Sequence, residues 1–356
     1  QIAHRFEGAQ RQVDEHVEPA PTDEAGLWED GEASGSLPTQ VTPEQARSIL
    51  SRNDSPDIPF TWSINPYRGC EHGCIYCYAR PTHSYLNLSP GLDFETRLMA
   101  KVNAAYLLRR ELARPSHEPS PINIGSATDP YQPVEREWHI TRDVLEVLTA
   151  CQHPFTIVTK SSGVERDLDL LSLAGARKQT YVMISITTLD SDLSRRLEPR
   201  AAAPMRRLQT VQKLAQAGVP VGVNVAPIIP FLNEPEIEQI IEAAAMAGAM
   251  NIHYTVVRLP WEVKPLFEEW LTHHVPEKAA RIMARVRELR GGKDYDADFS
   301  LRMKGEGVWA KLIAQRVRKA AERHGMGRLA LELDSSRFDR SALHLQDEVQ
   351  LGLFTE

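Results

Sequence analysis

Three of the four cysteines in this 356-residue chain fall within eight residues of one another. They lie in Asn65-Pro-Tyr-Arg-Gly-Cys70-Glu-His-Gly-Cys74-Ile-Tyr-Cys77-Tyr78, with the spacing C-x3-C-x2-C. Three thiolates from one loop can hold three irons of a 4Fe–4S cube and leave the fourth iron open. An open iron is what a bidentate ligand such as S-adenosylmethionine (SAM) needs, through its amino and carboxylate groups. Gly69 and Gly73 let the loop wrap tightly around a group of that size. The same residues also read as a zinc knuckle or as three incidental buried thiols. Structural zinc sites favour C-x2-C pairs and a closed set of four ligands. The remaining cysteine, Cys151, lies 74 residues further on, in an apolar stripe with Val144 and Leu148, where it reads as core.

The elements that must position these cysteines begin near Phe60. Candidate strands are Thr61–Asn65, Ile122–Gly125, Phe155–Thr159, Tyr181–Thr187, Val219–Ala226 and Asn251–Val257. From the second strand on, successive starts lie 33, 26, 38 and 32 residues apart, about one βα unit each. Amphipathic helices fill the intervals. One holds Met99, Val102 and Tyr106, and another holds Val144, Leu148 and Cys151. Two more run over Pro204–Ala217 and Glu234–Ala247, closed by Gly218 and Gly248 as left-handed caps. Six βα units in this order predict an α/β fold, a partial or complete parallel barrel with its site at the C-terminal strand ends. After Val257 the pattern becomes mainly helical.

Composition bounds the rest. Hydrophobic residues at 42% and charged residues at 25% describe an ordinary globular chain. No run of eighteen apolar residues occurs, so the expectation is no membrane span and a reducing cytoplasm. The net charge of −7 sits wholly in residues 1–50, where ten acidic residues face three arginines. The body is therefore neutral and free to take a polyanion. Residues 281–325 carry twelve Lys or Arg against six Asp or Glu, read as solvated helix faces or a nucleic-acid surface. The expected organisation is an acidic disordered segment 1–45, a barrel 46–258, a helical extension 259–330 and a flexible tail 331–356.

The cysteine motif resembles that of the radical SAM superfamily, and its flanks resemble the spore photoproduct lyase and DNA-repair-photolyase-like branch. Gly125-Ser-Ala-Thr-Asp-Pro-Tyr131, Thr159-Lys-Ser161, Leu197-Glu-Pro-Arg200 and Asn224-Val-Ala-Pro-Ile-Ile-Pro230 extend the likeness over about residues 45–327. The resemblance implies a partial (β/α)6 radical SAM barrel with a mainly helical C-terminal extension. It implies a 4Fe–4S cluster on Cys70, Cys74 and Cys77, SAM as second cofactor, and a flavodoxin- or ferredoxin-type electron donor. The reduced cluster would split SAM to methionine and a 5′-deoxyadenosyl radical, with lyase-like action in nucleic-acid or DNA repair or modification. The alternatives are a maturase of RNA, peptide or metabolite, or a non-catalytic iron–sulfur or zinc module.

Residue by residue, the branch implies Tyr76 and Tyr78 packing on SAM, and Thr128 with Asp129 at its amino group. It implies Lys160, with Ser185, at the SAM carboxylate and Asn224 at the ribose hydroxyls. Arg200 would hold a polyanionic substrate or pair with Glu198. One departure matters. Where spore photoproduct lyases carry the cysteine that returns a hydrogen atom, this chain has Ser126. A serine O–H bond is too strong for that task.

The extreme C-terminus, Gln350-Leu-Gly-Leu-Phe354, resembles the bacterial sliding-clamp-binding pentapeptide. Gln350 would bond at a pocket rim while Leu351, Leu353 and Phe354 fill an apolar groove. The alternative is that these side chains pin the terminus onto the barrel.

Overall fold

The computed structural model describes residues 38–326 and 332–343. Residues 1–37 and the pentapeptide at Gln350–Phe354 lie outside the described residues.

The first strands are β1 (Gln40–Glu44), β2 (Leu50–Arg52), β3 (Trp62–Ile64), β4 (Tyr67–Arg68) and β5 (Arg97–Lys101). Short helix α1 (Asp93–Thr96) precedes β5, and α2 (Ala104–Leu112) follows it. Then come β6 (Ile122–Ile124), α3 (Glu135–Trp138), α4 (Ile140–Ala150), β7 (Phe155–Thr159) and α5 (Leu168–Ala176). The barrel continues with β8 (Thr180–Ser185), α6 (Ser191–Leu197), α7 (Pro204–Gln216), β9 (Val221–Ile228), α8 (Ile237–Met246) and β10 (Ile252–Val256). Helices α9 (Val263–His274), α10 (Pro276–Glu288) and α11 (Gly307–Arg323) form the C-terminal extension. No helix among the described residues is long and apolar enough to cross a membrane.

The main sheet runs β10-β9-β8-β7-β6-β3-β2. All six expected barrel strands are present and mutually parallel, and β2 pairs antiparallel with β3 at the edge. Because the parallel strands follow one another in chain order, right-handed crossovers put their helices on one face. The sheet curls around the other face as a partial (β/α)6 barrel.

Strand alternation separates those faces chemically. Ile122, Ile124, Phe155, Ile157, Val182, Ile184, Val221 and Val223 are fully buried in the helix-side core. The alternate positions face the concave side. Register aligns Asn123 with Thr156 and Tyr181, Val158 with Met183 and Gly222, and Ser185 with Asn224 and His253. A Cβ on Gly222 would stand 1.8 Å from the Tyr181 hydroxyl and 2.8 Å from the Met183 sulfur. The glycine therefore makes room for a phenol inside the barrel.

Three expectations are corrected. Residues 40–44, assigned to a disordered segment, form β1 and pair in parallel with β5. Neither strand could bury enough alone; β5 supplies the ladder, and Glu44 of β1 reaches across it to Arg68 of β4 at 2.8 Å. Met99, expected in a helix with Val102 and Tyr106, lies in β5, where Leu98 and Ala100 alternate inward, and the helix begins only at Ala104. Residues 332–343, expected in a flexible tail, are docked across the N-terminal ends of the barrel strands. Phe338 packs edge-on against His117 and His153. The Asp334 and Asp339 amides donate to Lys178 and Cys151 carbonyls at 2.8 Å each, and Leu343 is buried.

The two edges of the main sheet are joined from outside. Residues 291–306 return along β10, with the Val256 amide donating to the Met303 carbonyl at 2.9 Å. Arg302 in this return binds Asp57, from the β2–β3 loop, through two hydrogen bonds of 2.6 and 2.7 Å. The bridge ties together opposite edges of the open barrel.

Two outcomes are expected from this packing. Gly222→Ala should destabilise the fold by about 1–3 kcal/mol through overpacking, with Tyr181→Phe restoring part of the loss in thermal melts. His153 is fully buried, and burial pushes its imidazole down to about 4. The unfolded chain takes up that proton near pH 6.5, the folded one only near 4, so stability falls as pH drops through this window. The slope from this group is about 1.4 kcal/mol per pH unit and vanishes below the folded value. Urea titrations at pH 7, 5 and 4 should show a steeper loss for the native chain than for His153→Gln.

Candidate functional site

The cysteine loop leaves β4 at the C-terminal end of the barrel. Gly69 and Gly73 have φ of 79° and 65°, in the left-handed region. A Cβ at Gly69 would lie 2.7 Å from the Phe94 carbonyl, and one at Gly73 would lie 2.2 Å from the Glu95 carboxylate. Glycine is required at both points by conformation and by space. The Cys70 amide donates to the Phe94 carbonyl at 2.8 Å, and the Ile75 amide to the Leu197 carbonyl at 3.0 Å.

Arg80 holds the loop from beneath. It is 1% exposed, and it donates to the carbonyls of Cys74 (2.9 Å), Gly73 (2.8 Å), Pro90 (3.1 Å) and Gly91 (2.7 Å). It also meets the Glu95 carboxylate at 3.3 Å and lies 5.3 Å from the centre of the Phe94 ring. An arginine three residues after the last cysteine was visible in the chain, but nothing in its spacing told that it points inward.

Cys70, Cys74 and Cys77 are free thiols, and Cys70 and Cys74 are buried. Burial pushes the Cys74 thiol well up, with Lys160 opposing the rise and Glu198 adding to it. Burial, then the neighbouring Cys70, raises Cys77. Among the described residues no three His, Cys, Asp or Glu side chains converge on a single ion. A mononuclear zinc site needs that convergence, whereas a four-iron cube takes its thiolates at separate corners. Cys151 is fully buried, its thiol pushed up to about 12 by burial. It is core.

A second buried guanidinium lies below the loop. Arg207, on α7, is paired with Glu198, and both are almost wholly excluded from water. Arg207 also donates to the Ala202 and Ser185 carbonyls at 2.7 and 3.1 Å. The other oxygen of Glu198 accepts from the Tyr76 and Thr187 hydroxyls. Lys160 sets its ammonium 5.9 Å above the Tyr76 ring. Burial works against the Lys160 charge, but Cys74 and Glu198 outweigh it and raise its pKa.

Arg200 does not pair with Glu198. It binds Glu71 at 2.7 Å and the Thr39 hydroxyl at 3.1 Å, while Arg207 of α7 takes Glu198. The two expected aromatics also part company. Tyr76 is 7% exposed and anchored to Glu198, whereas Tyr78 is 45% exposed at the mouth. The Tyr78 hydroxyl donates to the Ser126 carbonyl, and the Arg258 guanidinium lies 3.9 Å over its ring. Asn65 completes this corner, accepting from the Ala127 amide at 2.8 Å and donating to the Ser126 hydroxyl at 3.1 Å.

Asp129 is surrounded. One carboxylate oxygen accepts from the Thr159 hydroxyl (2.6 Å) and the Tyr131 amide (3.0 Å). The other accepts from the Lys160 amide (2.7 Å) and faces His72 Nδ1 at 3.4 Å. Burial alone would raise its pKa; His72 and these hydrogen bonds reverse that and hold it at about 2. Its neighbour Thr128 is the opposite case. The Thr128 hydroxyl is buried with no partner among the described residues, and so is His72 Nε2. Ser185 and Asn224 stand side by side in register on the concave face.

These residues fit a cluster and a polar amino-acid cofactor. Three soft donors share one loop, glycines let that loop pack tightly on its neighbours, and buried polar atoms await partners. The functional residues that sequence reading missed are Arg80, Arg207, His72, Asn65 and Arg258. Only His72, inside the motif, stood next to a chemical signal.

Two measurements follow. After anaerobic reconstitution, iron, sulfide and brown absorbance should be lost in Cys74→Ala and kept in Cys151→Ala. Glu198→Gln strips a buried guanidinium of its counter-charge, so thermal or urea unfolding should show a loss of about 3–5 kcal/mol.

Comparison with known proteins agrees with this geometry. Residues 64–244 match the family model described as the radical SAM superfamily. An uncharacterized protein of Mycobacterium tuberculosis is 36% identical over 234 residues, spanning 65% of this chain and 68% of the relative. A radical SAM Nalpha-GlyT isomerase of Pseudomonas phage M6 is 23% identical over 230 residues, 64% of this chain and 46% of that one. Among solved structures, a spore photoproduct lyase variant with bound AdoMet and dinucleoside spore photoproduct superposes with a TM-score of 0.56. It is 19% identical and covers 80% of this chain and 79% of its own.

Proposed function

This chain belongs to the radical SAM superfamily, and from that premise we propose that it acts on nucleic acid, in repair or modification. The superfamily's cofactors are a 4Fe–4S cluster and SAM, and its members are enzymes. One observation carries the substrate reading. The concave positions of the six barrel strands hold Asn123, Thr156, Tyr181, Ser185, Asn224, His253 and small or apolar side chains, with no carboxylate among them. Amides and hydroxyls suit base edges and sugars, and the lack of negative charge suits a polyanion. The phage isomerase and the lyase bound to a dinucleoside photoproduct support the same reading.

A 4Fe–4S cluster held by Cys70, Cys74 and Cys77 would supply one-electron reduction of SAM, the source of radical chemistry for hydrogen abstraction. In this reading Cys70, Cys74 and Cys77 hold the cluster, and Arg80 keeps their loop in shape. The unfilled Thr128 hydroxyl takes the SAM amino group, while Asp129 braces Thr159, Tyr131 and the Lys160 backbone around it. Lys160 and Ser185 meet the SAM carboxylate, and Asn224 meets the ribose. Tyr76, fixed by Glu198, is the wall behind the cofactor; Tyr78 stands between it and the mouth. Ser126 cannot return a hydrogen atom, so spore photoproduct is not the substrate we propose. The enzyme works in a reducing cytoplasm with a flavodoxin- or ferredoxin-type donor. A sliding clamp bound to Gln350, Leu351, Leu353 and Phe354 completes this reading. Leu343, the last described residue before that peptide, is buried at the barrel end opposite the cysteine loop.

The test is reductive SAM cleavage by the reconstituted enzyme, with damaged and undamaged DNA, RNA and peptide mixtures as additions. Dithionite should release 5′-deoxyadenosine, and nucleic acid should raise the yield or take up its hydrogen label. Stimulation by peptide and not by nucleic acid would replace this substrate class. Lys160→Ala should weaken SAM binding about 10- to 100-fold, from the loss of one charge-assisted contact.

A further inference from the structure

Beside the cysteine loop, a strip of rings and cations begins at the outermost residue of the cofactor site, Tyr78, and runs away from it. Tyr78 is half-exposed, with the Arg258 guanidinium stacked 3.9 Å from its ring centre. Arg258 has no ion pair among the described residues. Arg290, itself buried, is the link: it donates to the Val257 carbonyl, next to Arg258, at 3.0 Å and to the Leu301 carbonyl of the 291–306 return at 2.6 Å, and in that return Tyr295 packs 6.2 Å from the Trp261 ring. The strip continues along the 291–306 return, with Phe299 45% exposed and Lys304 lying 5.7 Å over Tyr254.

Trp261 is the least expected member. It is 70% exposed, and its φ of 44° lies in the left-handed region that a bulky residue avoids. A large ring held in water by a strained backbone has neither a packing nor a propensity reason. Of the carboxylates on this face, Asp294 pairs with Lys264 at 2.8 Å and Asp296 with Lys293 at 2.9 Å, Asp298 accepts from the Ser300 hydroxyl at 2.6 Å, and Glu262 keeps one buried oxygen without a partner. Arg258 and Lys304 are the solvent-reaching cations without an ion pair among the described residues of the strip; Arg290, also without one, is buried.

We propose that this strip, from Tyr78 and Arg258 through Tyr295 to Trp261, docks an unpaired stretch of nucleic acid leading into the barrel. Bases stack on the rings, and backbone phosphates meet Arg258 and Lys304. Exposed rings interleaved with unpaired cations form the pattern that binds single strands without reading sequence. A duplex hides its base faces from such rings, and an acidic peptide would engage the cations alone. The inference rests on the nucleic-acid reading of the site and deepens it to single-stranded or locally opened substrate.

The test is fluorescence anisotropy with the full-length, cluster-reconstituted protein. The probes are a mixed-sequence single strand, the same sequence as duplex, an abasic strand of equal length and an acidic peptide. The single strand should bind at least tenfold tighter than the abasic strand, because stacking is lost while phosphates remain. Trp261→Ala should weaken single-strand binding about 5- to 150-fold, and Trp261→Phe should recover most of it. Arg258→Ala should lower the slope of log affinity against log salt by about 1. Equal affinity for normal and abasic strands overturns the strip without needing any variant. So does undiminished binding by Trp261→Ala, and in that case the substrate reading survives. Binding of the peptide alone, with no nucleic acid bound, would remove both.

Discussion

Among the described residues, the largest side chains almost wholly removed from water are three arginines: Arg80, Arg207 and Arg290. A buried guanidinium is costly unless every donor is matched, so each dictates where its surrounding backbone must lie. Arg80 gathers four carbonyls of the cysteine loop and the Pro90–Gly91 turn. Arg207 joins the end of β8, the turn at Ala202 and Glu198. Arg290 pins the 291–306 return to β10 through the Leu301 and Val257 carbonyls, at 2.6 and 3.0 Å. All three act on loops above the C-terminal strand ends, where no ladder holds the backbone. The cysteine loop, the floor beneath it and the mouth beside it each depend on one of them.

The same division appears in the apolar packing. One core lies between the sheet and its helices, while a second, with Ile229, Val257, Phe267, Trp270 and Met283, covers the strand ends and reaches Ile75 and Tyr76. Helices α9 and α10 are thus part of the site's support rather than an appendage. Their packing fixes Tyr76 from outside while Glu198 fixes its hydroxyl from inside. A ring held at both ends is suited to be a wall; Tyr78, open to solvent and capped by Arg258, is suited to meet substrate.

The contrast between Thr128 and Asp129 shows how geometry redistributes roles among neighbours. A carboxylate is the natural partner of an ammonium, yet Asp129 already has four protein partners. The adjacent hydroxyl, the weaker candidate by charge, is the one left without a partner. Arg200 and Arg207 show the same effect. Which arginine takes Glu198 depends on the element that brings it to the end of β8, and not on separation along the chain.

The cysteine spacing, the six strands and the helical extension were legible from residues alone, since each follows from local periodicity or from a short motif. A thiolate loop needs only its own glycines to be recognised, and strand alternation is written in neighbouring residues. What only tertiary structure decided are the pairings between distant segments. β1 became a strand because β5 offered it a ladder, and the 332–343 segment docked because His117 and His153 made a seat for Phe338. Arg80 and Arg207 carried no signal of burial, because a charged side chain is read as exposed until the carbonyls that would satisfy it are known. Those carbonyls belong to turns whose shape no local pattern specifies. The chain therefore announces its chemistry in one loop, while the folded structure determines which of its polar atoms remain free to take part.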